Sequence, residues 1–301
     1  MKHVSPAAIP ALVGAYLVAA ALGSSPPAQA EPQPISDLQK YKIQVDYYAP
    51  RDPKYQSRYE KLQQRKVLEE LGQFLAPVSW PKAFRLIAKQ CPQSGTPTPA
   101  VFYDYDEYSM TICYQFIDDL LDASAFTKPG AINEGFATPQ EVIVGGLIGV
   151  VLHEAARGTF DMLQVPILGS DEDAADQLAG LIGLQFGDQV ARTVIKGTYM
   201  LWSMYDHKLR AENQSYNFAS KASVAPQRAD NILCIAYGGK AATFKDLVDK
   251  GLLPPSRAGR CSAEYQQAAD AFTATIQPQV NAAMMKQVLD TTTWILPDDL
   301  K

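Results

Sequence analysis

Apolar residues in the first half of the chain follow two different spacings. Residues 41–48, 83–91 and 100–114 are short runs rich in β-branched and aromatic side chains, which are typical of strands. The third run is interrupted by the polar stretch Asp104–Glu107 and therefore predicts a hairpin. Between the first two runs, residues 53–75 are apolar at helical spacing and charged elsewhere, so they predict one amphipathic helix.

From residue 115 onward the pattern becomes helical. Residues 115–123 predict a short helix. Thr138, Pro139 and Glu141 then form a helix start, with an N-cap hydroxyl, a proline in the first turn and a glutamate three residues after the cap. The apolar run 142–152 follows within the same helix. Because this run is short and contains glycines, we expect a buried helix and not a membrane span.

More helices are predicted after this one. Ser170 is the expected N-cap of a helix over 171–186, whose acidic first turn suits the positive helix N-terminus. Further helical segments are 188–206, 227–237, 243–250 and 261–290. Strands followed by helices predict the α+β class, with a small N-terminal sheet and a predominantly helical remainder.

The beginning of the chain predicts a secretion signal. Lys2 precedes the apolar run Ile9–Leu22, and Ala28–Ala30 fits an A-x-A cleavage site. We expect residues 1–30 to be a Sec signal peptide and residues 31–301 to be one exported domain, periplasmic or secreted. The apolar run is about 14 residues long and short for a membrane span, so no stable membrane anchor is expected after cleavage.

Composition narrows the choice of partners and compartment. The net charge is −5 and no cluster of lysine and arginine occurs, so neither nucleic acid nor an anionic membrane is an expected partner. The four cysteines are even in number, and export favours two disulfides over metal ligation. Three pairings are open, and proximity in the sequence favours Cys91–Cys113 and Cys234–Cys261.

The chemically most informative stretch is GVVLHEAARGTFDML, residues 149–163. His153 and Glu154 begin the H-E-x-x-H pattern, in which two histidines at i and i+4 bind one zinc ion and the glutamate acts as general base. Arg157 stands where the second histidine belongs. On the next predicted helix, Glu172 and Asp176 are also spaced i, i+4, which suits a third zinc ligand and a carboxylate that orients His153.

The chain resembles a family of bacterial zinc metallopeptidases that is otherwise classed as a domain of unknown function. The resemblance is carried by four segments, which are VVLHEAARGTFDMLQVPILGSDEDAADQLAG, FYDYDEYSMTICY, QRADNILCIAYG and GLLPPSRAGRCSAEY. It covers residues 40–278 and implies a zincin-like fold, a peptide or protein as substrate, and the pairings Cys91–Cys113 and Cys234–Cys261.

The same resemblance implies roles for the site residues. His153 would be the first zinc ligand and Glu172 the third, Glu154 would be the base, and Asp176 would orient His153. The cofactor implied by the resemblance is zinc. Arg157 departs from the family pattern and receives no ligand role.

An arginine at this position has a large physical consequence. A guanidinium cannot ligate zinc and stays charged. At an effective dielectric constant of about 20, a unit charge ~4 Å from a divalent ion costs about 8 kcal/mol. We therefore hypothesise that Arg157 lies between Glu172 and Asp176 and replaces the metal, which would leave the chain without a cofactor.

Two functions follow from these alternatives. The first is a zinc peptidase with a degenerate site that is weakly active or inactive. The second is a pseudopeptidase that binds a peptide or protein without metal. In either case the 100–113 hairpin is expected to supply an edge strand that holds an extended polypeptide by strand addition.

Two other features receive simpler interpretations. His207, beside Lys208, is interpreted as a solvated surface residue and only weakly as a replacement zinc ligand. Tyr199, Trp202 and Tyr205 are interpreted as packing residues and not as a sugar-binding platform.

Overall fold

A computed structural model describes residues 43–92, 101–129 and 135–291. The predicted signal peptide lies outside these residues. Within them, four strands form one sheet in the order β1-β2-β4-β3. The strands are β1 (Ile43–Tyr47), β2 (Phe84–Lys89), β3 (Val101–Asp104) and β4 (Ser109–Cys113).

Three of the four strands are parallel. β1 pairs with β2 and β2 with β4 in parallel, whereas β3 runs antiparallel to β4 and lies at the edge of the sheet. The predicted hairpin is confirmed, and its turn is closed by Asp104, whose carboxylate accepts hydrogen bonds from the amides of Asp106 and Glu107. All five residues of β4 are buried, which fits its interior position in the sheet.

The prediction of a single amphipathic helix over 53–75 is wrong. The structure has a 3₁₀ turn at Pro53–Tyr55 and two helices, α1 (Gln56–Gln64) and α2 (Val67–Leu75). Lys66, in the left-handed conformation at φ 51°, separates the two helices. The helix before it buries no residue completely, whereas α2 buries five. Helix α2 packs against β1 and β2.

The remainder of the described chain is helical. The helices are α3 (Phe116–Ala125), α4 (Pro139–Met162), α5 (Asp171–Gly183), α6 (Asp188–Ala211), α7 (Ala225–Gly239), α8 (Lys245–Asp249), α9 (Pro255–Thr275) and α10 (Ala282–Thr291). Short 3₁₀ turns follow α5 and α9, at Leu184–Phe186 and Gln277–Gln279. With its small sheet and mainly helical remainder, the chain is of the predicted α+β class.

The predicted helix over 261–290 requires a correction. It is two helices, α9 and α10, and the first of them begins earlier, at Pro255. Pro255 suits the first turn because its missing N–H would have no partner there. Pro278 lies in the interruption, and a proline removes a helical hydrogen bond and clashes with the preceding turn.

Both predicted helix starts that bear on the site are confirmed. At the start of α4, the Thr138 hydroxyl accepts from the Glu141 amide at 3.2 Å, and the Glu141 carboxylate accepts from the Thr138 amide at 2.7 Å. At the start of α5, the Ser170 hydroxyl accepts from the Asp173 amide at 3.2 Å. These caps fix where the two site-bearing helices begin.

Helix α4 runs through the core and packs against α3, α5, α6 and the sheet. Among the described helices it is the one long and apolar enough to cross a membrane, but 72% of its most apolar window is buried inside the protein. It approaches α6 at glycines: a Cβ on Gly197 would lie 2.3 Å from the Gly146 nitrogen. The two backbones therefore touch without intervening side chains.

Both expected disulfides are present. Cys91–Cys113 joins the second residue after the end of β2 to the end of the neighbouring strand β4, and Cys234–Cys261 joins α7 to α9. Their Cα atoms are 5.4 and 5.0 Å apart. The described residues contain no free cysteine, and the two disulfides fit an oxidising compartment.

Candidate functional site

The structure brings the sequence-predicted site residues together at one place. His153, Glu154 and Arg157 lie in the C-terminal half of α4, while Glu172 and Asp176 lie on one face of α5. The side chains of all five are at least four-fifths buried. Because α4 and α5 pack directly against each other, two local i, i+4 patterns form one cluster.

His153 lies between the two acidic residues of α5. Its Nδ1 is 2.7 Å from Asp176 Oδ1 and its Nε2 is 3.2 Å from Glu172 Oε2. Burial opposes the charged imidazolium, but the hydrogen bonds to Asp176 and Glu172 outweigh it and raise the pKa of His153 to about 9. The ring therefore carries a proton on each nitrogen at neutral pH and donates to both carboxylates.

Arg157 lies between two glutamates. Its Nη1 donates to Glu154 Oε2 at 3.2 Å, and its Nη2 lies 3.3 Å from Glu172 Oε1. Nη2 also donates to the Tyr105 hydroxyl at 3.1 Å, and the guanidinium lies 5.4 Å from the centre of that ring. Its Nε is buried and meets no acceptor in the described part of the chain. The carboxylates hold the guanidinium here although one of its donors is unsatisfied.

Arg157 was expected between Glu172 and Asp176. The expected contact with Glu172 is present, and the expected contact with Asp176 is wrong. Arg157 pairs with Glu154, three residues earlier on its own helix, and not with Asp176. Both oxygens of Asp176 are already occupied by a different arginine, Arg228.

Arg228 is the site residue that the sequence analysis missed. It lies on α7 and donates from Nε to Asp176 Oδ2 at 2.6 Å and from Nη2 to Asp176 Oδ1 at 2.7 Å. Its guanidinium lies 3.7 Å from the ring centre of Trp202, and the residue is 8% exposed. A signal was present, because Arg228 shares its helix face with Ile232 and Ile235. A charge on a buried face requires a buried partner.

Glu154 is attached to the edge of the sheet. Its Oε2 accepts the backbone N–H of Tyr103 in β3 at 2.8 Å, in addition to the bond from Arg157. Burial raises the pKa of the Glu154 carboxyl, and the charges of His153 and Arg157 oppose that shift. The expected strand addition along β3 is limited by this bond, because the Tyr103 amide already has an acceptor.

The charges of the cluster balance without an added ion. The three carboxylates of Glu154, Glu172 and Asp176 face the two guanidinium groups of Arg157 and Arg228 and the imidazolium of His153. The hydrogen bond from His153, with the charge of Arg157, keeps the pKa of Glu172 below its usual range against the effect of burial. Three negative and three positive groups thus neutralise one another inside the protein.

These residues do not fit a catalytic zinc ion. A zinc site needs three protein ligands, and only His153 and Glu172 remain from the pattern. The guanidinium of Arg157 lies against the carboxylates of Glu172 and Glu154, where it would repel a cation. No group of three His, Cys, Asp or Glu side chains in the described ranges is arranged to hold a metal ion.

The remaining sequence interpretations have clear outcomes. His207 is exposed and contacts the ring of Phe126 edge-on at 5.0 Å, which fits the surface interpretation. Tyr199 packs against Phe136, and the Tyr205 hydroxyl donates to Asp119. Trp202 is also a packing residue, but the group it covers is Arg228 of the site.

We predict that the His153 ring stays protonated well above neutral pH. Its pKa, raised from 6.5 to about 9, means that the imidazolium stabilises the folded protein fully below about pH 6.5 and ceases to do so as the pH rises through about 9. Long-range ¹H–¹⁵N spectra between pH 5 and pH 10 measure this directly. Loss of the ring proton over the same pH range in folded and urea-unfolded protein would contradict the prediction.

An α+β chain whose long buried helix carries His-Glu beside a Glu-x-x-x-Asp helix is compatible with a metallopeptidase domain. A family model described as "Putative metallopeptidase" matches residues 47–276, and the chain belongs to this family. No curated protein matches the chain, and no solved structure matches it.

Proposed function

We propose that this chain is an exported metallopeptidase-family protein that holds no catalytic zinc and binds an extended polypeptide segment. The observation that carries the proposal is the position of Arg157, whose guanidinium lies 3.2 and 3.3 Å from oxygens of Glu154 and Glu172. In the family pattern these two carboxylates would serve the water and the metal. In this chain they neutralise a side chain.

Export is supported by two independent features. Residues 1–30 have the charged start, apolar run and cleavage site of a Sec signal peptide. Two disulfides join distant segments of the chain, as is usual in exported proteins. The proposed location is the periplasm or the outside of the cell.

Polypeptide binding is supported by exposed apolar side chains in three segments that are connected through Asp171. Tyr105 bonds to Arg157, and its hydroxyl lies 3.4 Å from a carboxylate oxygen of Asp171. Leu168, fully exposed, is three residues before Asp171, and Phe218, 81% exposed, is three residues before Lys221, which also pairs with Asp171. Exposed apolar groups thus occur in three segments that each have a residue at the Asp171 carboxylate or include Asp171 itself. Such a surface favours a polypeptide partner.

The zinc peptidase remains a second candidate, with one observation in its favour. His153 Nε2 faces Glu172, while Nδ1 is held by Asp176, which is the orientation that a zinc-binding histidine needs. If Arg157 moved away, half of a metal site would already be formed. The two candidates differ in what the wild-type protein contains and cleaves.

The test uses protein exported to the periplasm and purified without added metal. We expect far less than one zinc per chain by elemental analysis. We also expect no hydrolysis of fluorescein-labelled casein beyond that of Glu154→Gln, with or without added zinc. The same casein, an unfolded polypeptide, should bind measurably by fluorescence anisotropy. Leu168→Ser and Phe218→Ser should each weaken this binding about tenfold, because burial of such a side chain contributes about 1.5 kcal/mol or more.

Leu121→Ser is the matched control, since Leu121 is 47% exposed but lies on α3, outside this group of residues. It should leave casein binding unchanged. Chelator-sensitive hydrolysis that disappears in Glu154→Gln would establish the peptidase instead. Casein binding that is absent, or equally weakened by Leu121→Ser, would remove the polypeptide-binding part of the proposal.

A further inference from the structure

We infer that Arg228 is a positioning residue, which holds the Asp176 carboxylate and through it keeps His153 Nε2 directed at Glu172. This role rests on the proposed function because it concerns the same cluster, but a different measurement tests it. Helix α7 thereby contributes a residue to the site.

Arg228 fixes the geometry of the Asp176 carboxylate. Arg228 binds both of its oxygens, at 2.6 and 2.7 Å, through Nε and Nη2. Such a bidentate pair fixes the plane of the carboxylate as well as its position. Oδ1 is then shared with His153 Nδ1 at 2.7 Å, so the direction of the imidazole is set by a group that cannot rotate freely.

The contacts around His153 also determine which of its ring nitrogens is held. Arg228 Nη2 is 3.3 Å from His153 Nδ1, but both groups are donors and cannot bond to each other when Nδ1 carries its proton. The Nδ1 proton therefore goes to Asp176, which is the shorter contact. With Nδ1 fixed in this way, Nε2 must face Glu172, as observed at 3.2 Å.

The guanidinium of Arg228 is itself held in place by its surroundings. Arg228 is 8% exposed, and the face of Trp202 on α6 lies 3.7 Å from it. A stacked guanidinium with two fixed acceptors has little freedom to move. His153, Asp176, Trp202 and Arg228 lie on four different helices, so this one residue links all of them to the orientation of the histidine.

Arg192 provides a matched control within the same chain. It also makes a bidentate pair, with Asp246, at 2.9 and 2.7 Å, and its guanidinium lies 5.6 Å from the ring centre of Phe244. None of its contacts in the structure involves the His153 cluster. Replacing either arginine by methionine removes the same kind of interaction, and only one replacement should affect His153.

The first measurement is the Nδ1 proton of His153 in the metal-free protein. We expect it to exchange slowly with water in wild type and in Arg192→Met. In Arg228→Met it should exchange about tenfold faster or more, because the Asp176 carboxylate that accepts this proton loses two charge-assisted hydrogen bonds. If Arg228→Met does not fold, Arg228→Lys is measured instead. It keeps the charge but not the bidentate geometry, and the same direction of change is expected.

The second measurement is zinc affinity in the Arg157→His background, by competition with a chromophoric chelator. Adding Arg228→Met should weaken zinc binding about 10–100-fold, whereas adding Arg192→Met should not change it. Unchanged exchange of the Nδ1 proton in the Arg228 variant would overturn the inference, and so would equal effects of the two arginine replacements. Hydrolysis by wild-type protein would overturn the proposed function without affecting this result.

Discussion

Replacing Arg157 by histidine is expected to create a zinc site in a protein that, by the proposed function, holds no catalytic zinc. The new imidazole would lie one helical turn after His153, on the same face of α4, and would supply the missing third ligand. The guanidinium would be gone from Glu154 and Glu172. We expect zinc affinity to rise roughly a thousandfold or more, since removing even half of a repulsion of about 8 kcal/mol has that effect.

Two control variants separate the causes. Arg157→Gln removes the charge without adding a strong ligand, and it should bind zinc more weakly than Arg157→His. Arg157→His combined with Glu172→Gln keeps the new imidazole and loses a carboxylate ligand, and it should also bind weakly. Isothermal titration with zinc gives the affinity and the number of ions for each variant. Tight zinc binding by wild type, left unchanged by Arg157→His, would show that Arg157 does not determine metal occupancy.

The second large effect is expected from Gly197→Ala, at the contact between α4 and α6. The added Cβ would lie 2.3 Å from the Gly146 nitrogen and 2.5 Å from the Gly145 carbonyl carbon. Because these are backbone atoms, they cannot rotate away, and the two helices must separate. We expect the free energy of unfolding to fall by at least about 3 kcal/mol, at the upper end of the cost of overpacking.

Gly259→Ala is the matched control for this substitution. Gly259 lies within α9, and a Cβ there would meet no atom within 4 Å. The same change should therefore stabilise the protein by about 0.5–1 kcal/mol, because alanine favours the helix and restricts the unfolded chain. Denaturant unfolding with the disulfides intact measures both. Similar effects of the two substitutions would mean that the helix contact is looser than the structure has it.

The fate of Arg157 illustrates why part of the site could be predicted and part could not. That it stands in place of a ligand follows from its spacing after His153. The carboxylates that Arg157 contacts depend on how α4 and α5 pack and on Arg228. Arg228 lies on a different helix, 52 residues after Asp176 in the sequence. No local sequence pattern predicts a contact between residues so far apart in the chain. The only local indication was that Arg228 places a charge on a buried helix face.

Some helix boundaries could likewise be predicted from the sequence, and others could not. The starts at Thr138 and Ser170 depend on hydrogen bonds within four residues, so the sequence alone predicts them. The break at Lys66 contains no proline or glycine, and it lies where the chain passes from a helix that buries no residue completely to one that buries five. A periodicity that continues across such a break cannot reveal it.

By itself, the sequence determined the class of the fold, the capped helices that carry the site and the presence of a cation at a ligand position, and it favoured the two cysteine pairs that the structure contains. These depend on local hydrogen bonds, residue spacing and short loops. Only the tertiary structure decided that Arg157 pairs with Glu154 and Glu172, that Arg228 holds Asp176, and that the Tyr103 amide binds Glu154. Each of these groups has several charged or polar residues with which it could pair. The packing of the helices and the sheet determines which of them are buried next to each other.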